Sequence, residues 1–144
     1  PDLAALLADD PNLKVILKEF PILSPESEDA ARIGVLVARA GVDYWAYHEK
    51  LFTGRGRVTL DAALSAAEDL GLNPISLRLD MAAASVTEAI GRSHQLARAL
   101  NVSGTPTYII GDEIIPGAIG LEQLRSRIAN MRNCGSTDCT APPA

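Results

Sequence analysis

The feature that most constrains the fold is a proline placed at the start of a short strand. Residues 103–118, SGTPTYIIGDEIIPGA, contain two apolar runs, Thr107–Ile110 and Glu113–Ile115, joined by Gly111-Asp112. A two-residue Gly-Asp link between apolar runs predicts a β-hairpin. Because proline has no amide hydrogen, Pro106 fits the first residue of a strand, where no ladder hydrogen bond is required of it. The sequence therefore predicts a small sheet with one stiff end.

The residues before the hairpin predict a helical block over about 24–100. Ser24-Pro25 and Asn73-Pro74 each pair a capping side chain with a first-turn proline, and Thr59 is a third cap. The spacing in SVTE, residues 85–88, fits a capping box at the start of the last helix of this block.

The rest of the chain predicts helices and one further strand. Residues 1–10, PDLAALLADD, have the spacing of a helix end, and Leu13–Phe20 is an apolar run that fits a buried strand. Residues 120–132 predict a closing amphipathic helix. The order helix, strand, helical block, hairpin and helix indicates an α/β fold. We expect one domain over residues 1–132 and a flexible tail over 133–144.

Composition excludes several classes of function. A length of 144 residues with 47% hydrophobic and 22% charged residues is typical of a single globular domain. The net charge of −5 argues against general nucleic-acid binding through a basic surface. No apolar run approaches the roughly 20 residues that a membrane-spanning helix needs.

Both cysteines, Cys134 and Cys139, lie in the tail segment NCGSTDCTAPPA. A local disulfide is the favoured interpretation, and it modestly favours an exported protein. A redox-active pair is the alternative, but Asp138 and the end of the preceding helix would both raise a thiol pKa there. Pairing of either cysteine with a thiol outside this sequence also stays open.

The remaining polar residues give weaker signals. His48 and His94 are the only histidines, and both are expected at the core or its boundary. No His, Cys or Asp cluster has the spacing of a metal site. Lys18 and Glu19 alternate along the predicted strand, so one of them is expected to face its buried side.

Pro106 has two interpretations. It is a strand-start proline with an ordinary trans bond, or the Thr105–Pro106 bond is cis. A cis bond would leave the N–H and C=O of Thr105 unpaired at the sheet edge, where an extended peptide could pair with them. Gly104 would permit the close approach of that peptide.

Three segments resemble the DsbA-like thiol–disulfide oxidoreductases of the thioredoxin superfamily. SGTPTYIIGDEIIPGAIGLEQL is similar to the C-terminal half of that family, with its Gly-Thr-Pro loop, hairpin and last helix. NLKVILKEFPILSPESEDAAR resembles the strand and helix start that follow the family's first helix, and YWAYHEKLF resembles part of its helical insertion. The resemblance covers nearly the whole chain to about Arg132.

The resemblance implies a thioredoxin-like fold with a large helical insertion and an exported, periplasmic location. It implies a thiol–disulfide oxidoreductase or isomerase whose partners are cysteine-containing protein substrates and a redox partner protein. Gly104, Thr105 and Pro106 would bind the substrate, Thr105 through its backbone and Pro106 through a cis bond. No cofactor and no metal are implied.

The chain departs from the family at the redox motif. In the family, a strand and a Cys-x-x-Cys motif come at the start of the first helix, and the helix N-terminus stabilises the thiolate. Here the sequence starts at Pro1 and resembles that helix entered after its cysteines, so we expect upstream residues to have been removed or omitted. Without the Cys-x-x-Cys thiolate, we expect the chain by itself to be redox-silent. Without the strand, two sheet edges would be unpaired, so a homodimer by strand exchange is open to the chain.

Two other functions stay open. Kappa-class glutathione transferases and related isomerases share the insertion and the proline loop, and they bind glutathione. A peptide-binding or chaperone-like module would use only the Thr105–Pro106 edge.

Overall fold

The structure is a computed structural model that describes residues 2–54 and 56–140. The chain divides into two compact units, residues 18–97 and residues 1–17 with 98–144, which we call the helical unit and the sheet unit. The elements in chain order are α1 (Asp2–Asp9), α2 (Pro25–Arg39), α3 (Tyr44–Thr53), α4 (Leu60–Glu68), α5 (Pro74–Asp80), α6 (Ala84–Ala99), β1 (Thr107–Ile110), β2 (Glu113–Pro116) and α7 (Leu121–Cys134).

The first helices of the helical unit begin where capping side chains place them. An N-cap oxygen accepts a hydrogen bond from a first-turn amide and satisfies a donor that the helix leaves free. Ser24 accepts from the amide of Ser27 at 3.2 Å, which confirms the cap predicted from the Ser-Pro pair. The N-caps of α2 to α5 are Ser24, Asp43, Thr59 and Asn73.

The core of the helical unit lies between α2 and α4. Ile33 and Val37 are one helical turn apart on α2 and are fully buried. Ala63 and Ala67 have the same spacing on α4 and are also fully buried. Small residues on α4 leave room for the large ones on α2, so the two helices pack closely around Tyr47 of α3.

The capping box predicted at residues 85–88 is wrong. Helix α6 begins at Ala84, and the carbonyl of Ala83 accepts from the amides of Val86 and Thr87. Ser85 lies inside the first turn, where its hydroxyl and carbonyl oxygens each accept from the Arg39 guanidinium at 3.0 Å. The hydroxyl therefore binds a distant cation instead of capping its own helix.

The predicted strand Leu13–Phe20 is also wrong. In the part of the chain that the structure describes, this segment has no regular secondary structure, and the two-stranded sheet consists of β1 and β2. Exposure still alternates from Leu13 to Glu19, with odd-numbered residues half-buried and even-numbered residues exposed. The segment thus has the alternating exposure of a strand. It is not a strand, because among the described residues it has no backbone hydrogen-bond ladder with a neighbouring segment.

In the sheet unit, ion pairs join α7 to the last residue of α1 and to the residue that follows it. Arg132 donates to Asp10 at 2.6 Å, and Arg125 contacts Asp9 and Glu122. The hydrogen bond from Arg132 is the main reason that the pKa of Asp10 lies below its usual value.

The hairpin forms as predicted, and β2 extends one residue further, to Pro116. Tyr108 pairs with Ile115 and Ile109 with Ile114 in the antiparallel register. Gly111 has a φ of 60°, the positive value that the first central position of a type II′ turn requires.

Candidate functional site

The loop before β1 is held in place by hydrogen bonds at both ends. The Thr107 hydroxyl donates to the Gly104 carbonyl at 2.8 Å, and the Gly117 amide donates to the Pro106 carbonyl at 2.8 Å. These bonds fix the backbone on either side of Thr105. The loop therefore presents Thr105 from a defined position.

Thr105 and Pro106 are exposed, and the peptide bond between them is cis. Within residues 2–54 and 56–140, neither the N–H nor the C=O of Thr105 has a hydrogen-bond partner. A residue with this free donor and acceptor can pair with an added extended segment.

The Gly117–Pro106 bond also sets the phase of the hairpin ladder. In an antiparallel pair, hydrogen-bonded and non-hydrogen-bonded residue pairs alternate. The Pro106–Gly117 pair is bonded, so the backbone groups of Thr107 and Ile109 point away from β2, toward the outer edge of β1. The outer edge of β1 therefore carries outward-facing backbone N–H and C=O groups at Thr107 and Ile109, which continue the line begun by Thr105.

The outer edge of β2 is different. By the same alternation, Ile114 and Pro116 point outward there, and Pro116 has no N–H to donate. Proline on an edge strand opposes the addition of another strand. Of the two edges of the hairpin, the β1 edge is the one suited to pairing with another chain.

Gly104 leaves open space beside the loop. A Cβ atom built on it would meet no described heavy atom within 4 Å, apart from its chain neighbours. Contacts within the chain therefore do not account for a glycine here. The close approach of a ligand to Gly104 stays a prediction of the sequence.

Tyr108 on β1 lies two residues beyond Pro106. Its pKa is raised, mainly by burial and also by the negative charge of Asp2 at the start of α1. The start of α1 therefore acts electrostatically on the strand that follows the loop.

The structure pairs Cys134 with Cys139, as the sequence predicts for a local disulfide, with 5.9 Å between their Cα atoms. Cys134 is the last residue of α7, and both cysteines are exposed. The Asn130 side chain donates to the Thr137 carbonyl at 2.8 Å and holds the intervening loop.

Of Lys18 and Glu19, one of which the sequence predicts to face inward, Glu19 is the half-buried residue, and its hydrogen-bond partner was not foreseen. The Glu19 carboxylate accepts a hydrogen bond from the Tyr44 hydroxyl and occupies the space that a side chain on Gly34 would need. Burial raises the pKa of Glu19, and the Tyr44 hydrogen bond lowers it in part. The signal that could have found this group is Gly34, a glycine in the middle of an apolar helix face.

The two histidines are half-buried and lie against aromatic rings. His94 packs edge-on against Phe20 with ring centroids 5.2 Å apart, and His48 stacks between Trp45 and Phe52 at 5.4 and 4.5 Å. Burial lowers the pKa of His48. In the described ranges, no group of three or more His, Cys, Asp or Glu side chains is placed to hold a metal ion.

A helical unit followed by a proline loop, a β-hairpin and a last helix is an arrangement found among thioredoxin-like proteins. The sequence profile of the DSBA-like thioredoxin domain matches residues 1–129. The chain therefore belongs to the DsbA-like thioredoxin family. This family match and the similarity to a solved structure confirm the fold class expected from the sequence, an α/β thioredoxin-like fold with a helical insertion.

Solved structures of three bacterial proteins are similar over most of the chain. A thioredoxin-like oxidoreductase from Silicibacter pomeroyi DSS-3 is 32% identical with a TM-score of 0.84, covering 92% of this chain and 76% of that one. A periplasmic thioredoxin-like protein from Salmonella enterica serovar Typhimurium is 36% identical with a TM-score of 0.75, covering 87% and 70%. The thiol-disulfide exchange protein alpha-DsbA2 from Wolbachia pipientis is 27% identical with a TM-score of 0.78, covering 90% and 71%.

No curated protein matches the sequence. Among the described helices, none has both the length and the hydrophobicity needed to cross a bilayer.

Proposed function

We propose that this chain is the substrate-binding body of a thiol–disulfide oxidoreductase or isomerase that acts on exported, cysteine-containing proteins. The observation that carries the proposal is the exposed backbone of Thr105, whose N–H and C=O have no partner in the described chain. Membership of the DsbA-like family supports the reaction class, and the similarity to a periplasmic protein supports an exported location.

In this proposal, an extended peptide pairs with Thr105 as an added strand. The N–H of Thr105 donates to the peptide, and its C=O accepts from the peptide. Gly104 lets the peptide backbone approach, and Pro106 presents no competing donor. Because these contacts are to the main chain, many substrate sequences fit.

The two cysteines of this sequence are poor candidates for the attacking thiolate. They are joined to each other, and the negative end of the α7 dipole together with the neighbouring Asp138 would disfavour a thiolate there. We therefore assign the exchange chemistry to a Cys-x-x-Cys pair outside this sequence, together with a redox partner protein. The chain by itself is expected to leave insulin disulfides unreduced.

The domain arrangement that goes with this function is a thioredoxin-like body over residues 1–132 and a tail over 133–144. Within that body, the helical insertion covers about residues 24–100. A comparison of binding by the full chain with binding by a chain ending at residue 132 tests whether the tail takes part.

The proposal is tested by titrating the ¹⁵N-labelled chain with an extended peptide that contains one S-methylated cysteine, which cannot exchange with the tail disulfide. Amide shifts are expected at Gly104, Thr105 and Thr107. A matched peptide with an N-methyl group opposite Thr105 loses one backbone hydrogen bond and should bind about tenfold more weakly.

Shifts that spare residues 104–107, or equal binding of the two peptides, would contradict the proposal. Titration with glutathione separates the glutathione transferase alternative, because that alternative requires glutathione to shift the same amides. The chaperone-like alternative requires suppression of aggregation that survives blockage of every thiol in the complete protein.

The homodimer by strand exchange expected from the sequence would use the same β1 edge. A second copy would then compete with the peptide. Peptide affinity that falls as the chain concentration rises would support this dimer, and affinity independent of chain concentration would argue against it.

A further inference from the structure

Helix α7 holds the turn of the hairpin through two side chains on one of its faces. Arg127 donates from its Nε to the Glu113 carboxylate at 3.2 Å, which ties down the first residue of β2. Met131 is four residues further along α7 and so lies on the same face of the helix. Its side chain lies against Gly111, the first residue of the turn. An ion pair and a thioether therefore hold the turn together.

The contact between Met131 and Gly111 leaves no room for a further atom. A Cβ atom on Gly111 would lie 2.8 Å from both the Sδ and the Cε of Met131. Heavy atoms pack best at about 3.5–4.0 Å, so even one added methyl group would be too close. The sulfur of Met131 thus lies directly over the backbone of the turn.

Met131 is also placed where a small oxidant can reach it. The residue is only half-buried, and Gly111 and Asp112 beside it are exposed. Oxidation of a methionine sulfur turns a flexible apolar side chain into a polar one. The other methionine, Met81, packs against the core of the helical unit. Of the two, Met131 is the one whose oxidation would act on the hairpin.

We propose that Met131 is an oxidation site at which a peroxide releases the hairpin turn from α7. The Sδ lone pair attacks one oxygen of hydrogen peroxide, and a sulfur–oxygen bond forms as the O–O bond breaks. The sulfur is oxidised by two electrons to a sulfoxide, and the departing hydroxide takes the proton of the transferred oxygen and leaves as water. The reaction uses no cysteine, so it goes beyond the proposed function and does not depend on it.

A sulfoxide does not fit the contact with the turn. Its oxygen adds a heavy atom to a closely packed contact, and that oxygen would lose its hydration if it stayed against Gly111. The oxidised side chain is therefore expected to turn outward, which leaves the Arg127–Glu113 pair as the remaining one of the two contacts. The hairpin would loosen at its turn, where Ile110 pairs with Glu113, without unfolding of the chain. Since β1 joins this turn to the proline loop, the strand that presents the candidate site would become more mobile.

Hydrogen exchange before and after treatment with hydrogen peroxide tests the proposal. The chain used carries Met81→Leu, so Met131 is its only methionine, and mass spectrometry locates the added oxygen. Oxidation should speed exchange of the Ile110 and Glu113 amides at least about tenfold and leave the Val37 amide in the helical core unchanged. Met131→Leu in the same background is the matched control, because leucine has a similar volume and cannot form a sulfoxide. Peroxide should change none of its exchange rates.

A second variant tests the polarity of the side chain without any oxidant. Met131→Gln places an amide where the sulfoxide would be, and it should speed exchange of the Ile110 and Glu113 amides in the untreated chain. A Met131 that stays unmodified while peroxide oxidises Met81 in the wild type would overturn the proposal. So would a sulfoxide that leaves the hairpin amides protected, or a Met131→Leu chain that responds equally to peroxide. Loss of protection at Val37 as well would show general unfolding and would also overturn it.

Discussion

The helical unit and the sheet unit satisfy their backbone polar groups in different ways. In the helical unit, capping side chains from nearby residues close the first turns of α2 to α5. In the sheet unit, the hairpin has outward-facing donors and acceptors on β1, and Ile109 and Ile114 are exposed on one face. The first turns of α2 to α5 are satisfied by local contacts, whereas the outer edge of β1 has backbone groups that face away from its partner strand and that solvent or an added segment must satisfy.

This difference indicates where stability and binding reside. The buried core of the helical unit should make it sensitive to changes of volume and of buried hydrogen bonds. The sheet unit, with exposed ion pairs and a tail disulfide, should tolerate changes better. The following predictions test that contrast, in order of decreasing expected effect.

Gly34→Ala should have the largest effect. Its Cβ would overlap the Glu19 carboxylate, whose Cδ atom lies 3.0 Å away, and would disturb the Tyr44 hydrogen bond. Because the carboxylate can move aside only by giving up its hydrogen bond to Tyr44, we expect a loss of about 1–3 kcal/mol in unfolding free energy, measured by urea denaturation. Gly91→Ala is the control, since a Cβ on that helical glycine meets nothing within 4 Å and should stabilise by about 0.5–1 kcal/mol. Equal effects of the two would remove the basis for calling the Glu19 site tightly packed.

Tyr44→Phe should come next. It leaves the Glu19 carboxylate without its hydroxyl donor and should destabilise the chain by about 1–2 kcal/mol. Tyr47→Phe on the same helix removes a buried hydroxyl that has no partner among the described residues, so it should be neutral or slightly stabilising. The measurement is the melting temperature of each variant. A larger drop for Tyr47→Phe than for Tyr44→Phe would contradict the hydrogen bonding described for the two hydroxyl groups.

Removal of the tail disulfide by Cys134→Ser with Cys139→Ser should cost less. Loop-closure entropy for so short a loop gives at most about 2 kcal/mol. The Asn130–Thr137 hydrogen bond remains in the reduced loop, so the measured loss in urea should fall below that bound. A loss larger than that of Gly34→Ala would reverse the proposed contrast between the units.

The smallest effect should be a pH dependence of opposite sign in the two units. Burial raises the pKa of Glu19, so its contribution to stability is present below about pH 4.5 and is lost as pH rises through the raised pKa. Arg132 lowers the pKa of Asp10, so the Asp10 contribution is present above about pH 3.8 and is lost as pH falls through the lowered pKa.

Unfolding free energies measured from pH 3 to 7 (roughly the range over which carboxyl groups titrate) would show both trends. As pH rises, the unfolding free energy of Glu19→Gln should increase relative to that of the wild type. The unfolding free energy of Asp10→Asn should decrease relative to that of the wild type. The same slope for both variants would contradict the two environments assigned to these carboxyl groups.

The sequence predicted what depends on near neighbours. The caps at Ser24, Thr59 and Asn73 each act within three residues, and the Gly111-Asp112 turn joins adjacent strands. These elements were found because their physical causes lie within a few positions of the chain.

What the sequence missed depends on distant residues. The sequence pattern predicted that Ser85 caps its own helix, but its hydroxyl accepts a hydrogen bond from Arg39, 46 residues earlier. Glu19 and Tyr44 meet across 25 residues, and no local pattern marks that pair except the glycine that makes room for it. Leu13–Phe20 has the alternation of a strand, but a strand also requires a partner, which a single segment cannot specify.

The proline at the end of β2 has a consequence for self-assembly. A fibril that grows by edge pairing needs two edges on every subunit that can accept a strand. Pro116 has no N–H to donate at the outer edge of β2. Copies that pair through the outer edge of β1 would therefore stop at dimers. Pro116 therefore allows the outer edge of β1 to stay open to an added strand without making the hairpin a unit from which a fibril can grow.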